Sequence, residues 1–111
     1  MVIKAVFHID EEEKWELALS NVKNLLAEAP DASIEVVANS IAVKEYKKDS
    51  NRFIRIMENL VAQKVKFCAC NNSLISQKID KGVLSGFVVI VPAGVKEIAE
   101  KQLEGYAYIK P

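Results

Sequence analysis

Short apolar runs alternate with stretches whose apolar residues recur every three or four positions, and this alternation continues along the whole chain. Val2–Ile9 is β-branched and almost wholly apolar, as expected of a central strand buried on both faces. Trp15, Ala18, Leu19, Val22, Leu25, Leu26 and Ala29 then share one face of a helix. Asp10 is placed to cap that helix, with Glu13 completing a capping box, and Pro30-Asp31 ends it. Ile34–Ala38 reads as a second strand. A loop follows through Asn39, Ser40, Lys47, Lys48 and Asp49, with a helical turn near Ala42–Tyr46. Phe53, Ile54, Met57, Leu60 and Val61 form the stripe of a second helix. Val65–Cys70 is a third strand, Asn71-Asn72-Ser73 resembles a helix cap, and Leu74–Ile79 a short helix. Phe87–Val91 is a fourth strand, ended by Pro92-Ala93-Gly94. Val95, Ile98, Ala99 and Leu103 line a last helix, Gly105 stops it, and Tyr106–Ile109 closes the chain as a strand.

Strands alternating with helices through short connections predict a single three-layer α/β/α sandwich over residues 1–111. Its five-stranded, mostly parallel sheet is covered on both faces because right-handed crossovers carry the helices there. Composition narrows the function classes. Half the residues are apolar and the 15 basic residues balance 15 acidic ones, which excludes disorder and argues against a nucleic-acid surface. Runs such as Phe87–Ala93 reach about a third of the length of a membrane helix. The first residues lack the cleavage region of a signal peptide. The expectation is a cytoplasmic protein that contacts neither membrane nor nucleic acid.

In open parallel sheets, ligands bind beyond the carboxyl ends of the strands. The predicted strands end at His8, Asn39-Ser40, Cys70-Asn71-Asn72 and Pro92-Ala93-Gly94, a set that includes the chain's single histidine and one of its two cysteines. Cys70 would follow a strand and open a helix, where free N–H groups and the helix dipole favour a thiolate. Buried free cysteine is equally common as packing, so both readings of Cys70 stand. Cys68 reads as a small apolar core residue. On one strand the two Cα atoms lie about 6.6 Å apart, near the upper limit for a disulfide, so a structural bridge is not expected. Two thiols and one histidine make no zinc site. His8 is a candidate acid/base if its strand neighbours the third, against an ordinary hydrogen-bonded histidine. Asn39, Ser40, Asn71, Asn72 and Ser73 are candidates for a polar pocket, and Gly94 for an amide facing an anion. Nucleotide-binding glycine motifs and a serine nucleophile elbow are absent. The basic stretch Lys44, Lys47, Lys48, Arg52 and Arg55 reads as a solvated face or a dock for an acidic partner.

Phe67-Cys-Ala-Cys-Asn-Asn-Ser-Leu74 resembles the DsrE/DsrF-like family of small sulfur-relay proteins, in particular its stand-alone single-domain branch. Val6–Ile9, Ile34–Ala38, Val91-Pro-Ala-Gly-Val95 and Gly105–Pro111 extend the resemblance over nearly the whole chain. It implies a flavodoxin-like subunit and, by position, a persulfide on Cys70. It also implies self-assembly into a trimer or hexamer, sulfur donors and acceptors as partners, and no cofactor. The expected function is then a sulfur carrier, a sulfurtransferase-like activity in which Cys70 takes and passes on sulfane sulfur. The rival readings are a non-catalytic small-anion-binding or assembly module, and a redox sensor in which Cys68 and Cys70 form a strained pair. Tyr46, Tyr106 and Tyr108 are the candidates for an interface between copies.

Overall fold

The computed structural model describes residues 1–50 and 52–111. Among these, β1 (Lys4–Ile9), β2 (Ser33–Ala38), β3 (Lys66–Cys70), β4 (Val89–Val91) and β5 (Ala107–Ile109) form one sheet in the order β4-β3-β2-β1-β5. Every neighbouring pair is parallel. The helices are α1 (Trp15–Glu28), α2 (Ile54–Ala62), α3 (Asn71–Ser76) and α4 (Gly94–Leu103), with 3-10 turns at Glu12–Lys14, Ser40–Tyr46 and Lys81–Val83.

The strand order follows from the handedness of the crossovers. From β1 to β4 the chain steps across the sheet in one direction, so right-handed connections put α1, α2 and α3 on one face. The return from β4 to β5, past β1, puts α4 on the other. Side-chain burial follows this division. Phe7, Ile9, Trp15, Leu19, Tyr46, Met57, Leu60, Phe67 and Leu74 form the main core under α1–α3, each contributing about 1.5–3 kcal/mol by full burial. Trp15 donates its indole N–H to the Ala42 carbonyl at 2.9 Å and stands edge-on to Tyr46. The α4 face is thinner: Val6, Val37, Cys68, Val91 and Ile98 are buried together, with Tyr106 packed against them.

Four local expectations are corrected. Asp10 does not cap the first helix: its carboxylate takes a hydrogen bond from Lys110 Nζ at 2.8 Å, and the chain enters α1 through a 3-10 turn with no side-chain cap. The third helix begins at Asn71, so Cys70 is its N-cap, and Asn72 and Ser73 lie in its first turn. In α4 the expected stripe is mostly solvent-facing. Val95 and Leu103 are exposed, and it is Gly94 and Ile98 that are buried, because this helix lies alone on its face and turns Glu97 and Lys101 partly inward. Tyr46 is fully buried and is a core residue, not part of any surface between copies. Gly105, at φ 92°, stops α4 as expected, since a side chain is strained there.

No described helix is long and apolar enough to cross a membrane.

Candidate functional site

The connections after β3 and β4 leave the sheet towards opposite faces, α3 on one side and α4 on the other. A crevice opens where adjacent crossovers diverge in this way. Cys70, the last residue of β3, sits in it, 5% exposed.

The sulfur is met by the starts of two helices. Burial pushes the Cys70 thiol up. Hydrogen bonds from the Ser73 hydroxyl and from the backbone N–H groups of Gly94, Ser73 and Asn72 outweigh it, leaving the thiol below its ordinary value of 9.0. These are first-turn amides with no partner inside their own helices, so they are free to stabilise a thiolate. Ser73 is itself held in place, because its Oγ accepts the Ser40 N–H at 2.6 Å. Ser40 has φ 53°, a left-handed conformation uncommon for serine, at the point where that amide turns towards α3.

Gly94 is in close contact with the cysteine. A Cβ at this position would stand 3.3 Å from the Cβ atoms of Cys70 and Asn39 and 3.4 Å from Val37 Cγ1. A bare α-carbon lets the first amide of α4 come this near the sulfur.

His8 does not adjoin Cys70. Its strand β1 pairs with β2 and β5, and β2 separates it from β3. The condition under which it would act directly on the thiol is therefore not met. Its ring is fixed on both sides, with Nδ1 2.7 Å from the Tyr108 hydroxyl and Nε2 3.0 Å from Asn39 Oδ1. The amide oxygen can only accept, so Nε2 donates to it, while Nδ1 shares a hydrogen bond with the Tyr108 hydroxyl. His8 thus orients Asn39, the residue beside Gly94 and Cys70. Asn71 has a buried Oδ1 with no hydrogen-bond partner among the described residues, and Asn72 contributes its backbone amide while its side chain is exposed.

Sequence reasoning missed a second polar cluster, beneath α4. Glu35 on β2 is 3% exposed, and its Oε1 accepts the Cys68 thiol at 3.4 Å. Side-chain polar atoms of Glu35, Cys68 and Glu97 lie within 4.8 Å of one another, and the nearest counter-charges are ammonium groups. Lys101 Nζ and Lys66 Nζ stand 3.7 and 3.9 Å from Glu35 Oε2. Burial and the nearby carboxylates push the Cys68 thiol far up, so it stays protonated, and neither cysteine is in a disulfide. The one sequence signal for this cluster was a glutamate inside an otherwise apolar strand. A separate groove of about 440 Å³ between α1 and α2, lined by Lys23, Leu26, Arg55 and Gln63 among others, shares no residue with the Cys70 crevice.

The fold recurs in solved structures. The protein of unknown function MTH1491 from Methanobacterium thermoautotrophicum is 40% identical and superimposes with a TM-score of 0.91, over 98% of this chain and 99% of that one. The ychN protein from E. coli is 18% identical, with a TM-score of 0.86 and both chains fully covered. No curated protein matches the chain. The sequence model of the DsrE/DsrF-like family matches residues 4–111. Together with the wholly parallel sheet and the cysteine closing its third strand, that match over nearly the whole length shows that the chain belongs to the DsrE/DsrF-like family.

Proposed function

We propose that the protein is a sulfur carrier that holds sulfane sulfur as a persulfide on Cys70. The observation that carries this reading is the convergence of two helix starts on one buried sulfur, which is held below the ordinary thiol range despite its burial. Family membership agrees with a sulfur-relay role.

The Cys70 thiolate attacks the terminal sulfur of a donor persulfide. A new S–S bond forms at Cys70, the donor's S–S bond breaks, and the donor leaves as a thiolate. In the second step an acceptor thiolate attacks the terminal sulfur on Cys70 and regenerates the Cys70 thiolate. Both steps are redox-neutral exchanges in which a lower leaving-group pKa speeds departure. The amides of Gly94, Ser73 and Asn72 stabilise the negative charge that returns to Cys70 in the second step. His8 is a positioning residue, since it holds Asn39 Oδ1 and leaves the Asn39 amide N–H groups to meet a bound sulfur compound. Ser40 acts through Ser73. The partners are a sulfur donor and an acceptor, either proteins or small sulfur compounds, and the place of action is the cytoplasm.

A homo-oligomer is part of the same proposal. Ile41, Ile75 and Val95 are exposed apolar residues on the three segments that frame Cys70, and Tyr108 is exposed on the β5 edge. Covering them between copies would shield the persulfide from water, and sedimentation equilibrium reads the state directly.

The test is intact mass after incubation with a persulfide donor, for wild type, Cys68→Ser and Cys70→Ser. A reductant-labile adduct of one sulfur that disappears in Cys70→Ser alone is the expected result. If no form takes up sulfur from any donor, the carrier reading fails and a small-anion-binding module becomes the better account of the converging amides.

A further inference from the structure

We propose that Glu35 and Glu97 share one proton and thereby latch the first turn of α4 to β2, making the Gly94 N–H bond to Cys70 conditional on that proton. This inference rests on the reading of Cys70 as a stabilised thiolate. Glu97 lies one helical turn after Gly94, and its own N–H bonds the Ala93 carbonyl, the N-cap of α4, at 3.1 Å. Its half-buried carboxyl lies within 4.8 Å of the buried Glu35 carboxyl, between helix and sheet. Two carboxylates facing each other there repel strongly, whereas one proton between them makes a charge-assisted hydrogen bond.

The surroundings of Glu35 define how far charge can be balanced. From β3 it meets Lys66 and Cys68, and from α4 it meets Glu97 and Lys101. β1 offers the apolar Val6 at the same level of the sheet. Lys101 is shared: its Nζ also pairs with Glu104 at 3.4 Å and sits 5.1 Å from the centre of the Tyr106 ring. Lys66 is half-exposed and 3.9 Å away. Burial first, and then the hydrogen bond and charge of Glu97, push Glu35 up to about 7. Glu35 therefore gains or loses its proton near neutral pH.

When the proton leaves to solvent, repulsion acts on a helix whose buried residues are Gly94 and Ile98 alone. Displacing the first turn outward relieves it and draws the Gly94 amide away from the sulfur. The thiolate then loses one of its four donors, so Cys70 becomes a weaker acid as the glutamate pair ionises.

Two measurements on the full chain test this. The first follows the ultraviolet absorbance of the Cys70 thiolate against pH in wild type, Glu35→Gln and Glu97→Gln. Cys68 remains protonated and silent. The expected wild-type curve is broader than a single-site titration, and each glutamine variant, which keeps a hydrogen-bonding amide at the same place, narrows it to a single site. The second follows the Gly94 amide resonance in Cys70→Ser, with no thiolate present. It should shift through neutral pH, and adding Glu35→Gln should abolish the shift. A narrow wild-type curve that coincides with both variants, or a Gly94 resonance that ignores pH, overturns the latch and leaves the carrier reading intact. A Cys70 thiol that ionises only in the ordinary range overturns the carrier reading, and the Gly94 resonance then still decides on the latch.

Discussion

Gly94 lies against Cys70 so closely that a methyl group in place of its hydrogen would stand 3.3 Å from the Cys70 Cβ. That methyl group would also press on Asn39 and Val37, at the end of β2. Gly94→Ala is therefore expected to cost about 1–3 kcal/mol by overpacking and to lift the first turn of α4 off the sulfur. The pH at which Cys70 becomes alkylated should rise relative to wild type. An unchanged profile would mean that the α4 amide does not stabilise the thiolate.

Ser73 holds two elements of the site together, donating its hydroxyl to Cys70 and accepting the Ser40 amide. Ser73→Ala should raise the Cys70 thiol towards its ordinary value and lower stability by about 1 kcal/mol through the lost cross-link. Ser73→Thr keeps the hydroxyl and should retain most of both. Alkylation rates against pH and urea midpoints separate the two effects.

Glu35 gives stability a definite slope with pH. Its folded value of about 7 lies above its ordinary 4.5, so between those values the folded chain holds a proton that the unfolded chain has released. Stability from this group is full below 4.5 and declines as pH rises through about 7, by at most on the order of 3 kcal/mol. Glu35→Gln should flatten that decline in urea midpoints taken across the interval. A wild type whose stability rises over the same range would contradict the assignment.

The Tyr46 hydroxyl is buried and has no hydrogen-bond partner among the described residues. Removing an unsatisfied buried hydroxyl returns its desolvation cost, so Tyr46→Phe is expected to stabilise the fold by about 1 kcal/mol. Thermal unfolding checks this, and a loss of stability would reveal a partner.

His8→Gln should divide two readouts. With β2 between them, the ring is too far from the sulfur to govern its ionisation, and alkylation of Cys70 should keep its wild-type pH profile. Sulfur transfer should slow, because Asn39 loses the bond that orients it. Equal loss of both would place His8 at the thiol itself.

The strands were legible because buried parallel strands are continuous apolar runs, and the α1 face because seven apolar residues keep one period. The start of α3 was misread by a few residues. Asn-Asn-Ser is good cap chemistry, but the cap position is taken by Cys70, whose sulfur lies near the first amides of the helix. The reach of His8 depended on strand order, which no local pattern contains. Glu35 and Glu97 are 62 positions apart and meet only because the chain reverses direction before β5. A glutamate in the first turn of a helix reads as favourable charge at an exposed end, and nothing near Glu97 in sequence marks its carboxyl as turned inward.

Three of the four donors to Cys70 are main-chain amides. Substitution cannot delete such donors, except by proline, so the identity of Asn72 is free to drift while the sulfur keeps its main-chain surroundings. What the site cannot absorb is a change of length. One residue inserted between Cys70 and Ser73 would rotate the first turn of α3 by about 100° and carry the hydroxyl and both amides away from the sulfur. Spacing, more than residue type, is the quantity under constraint here.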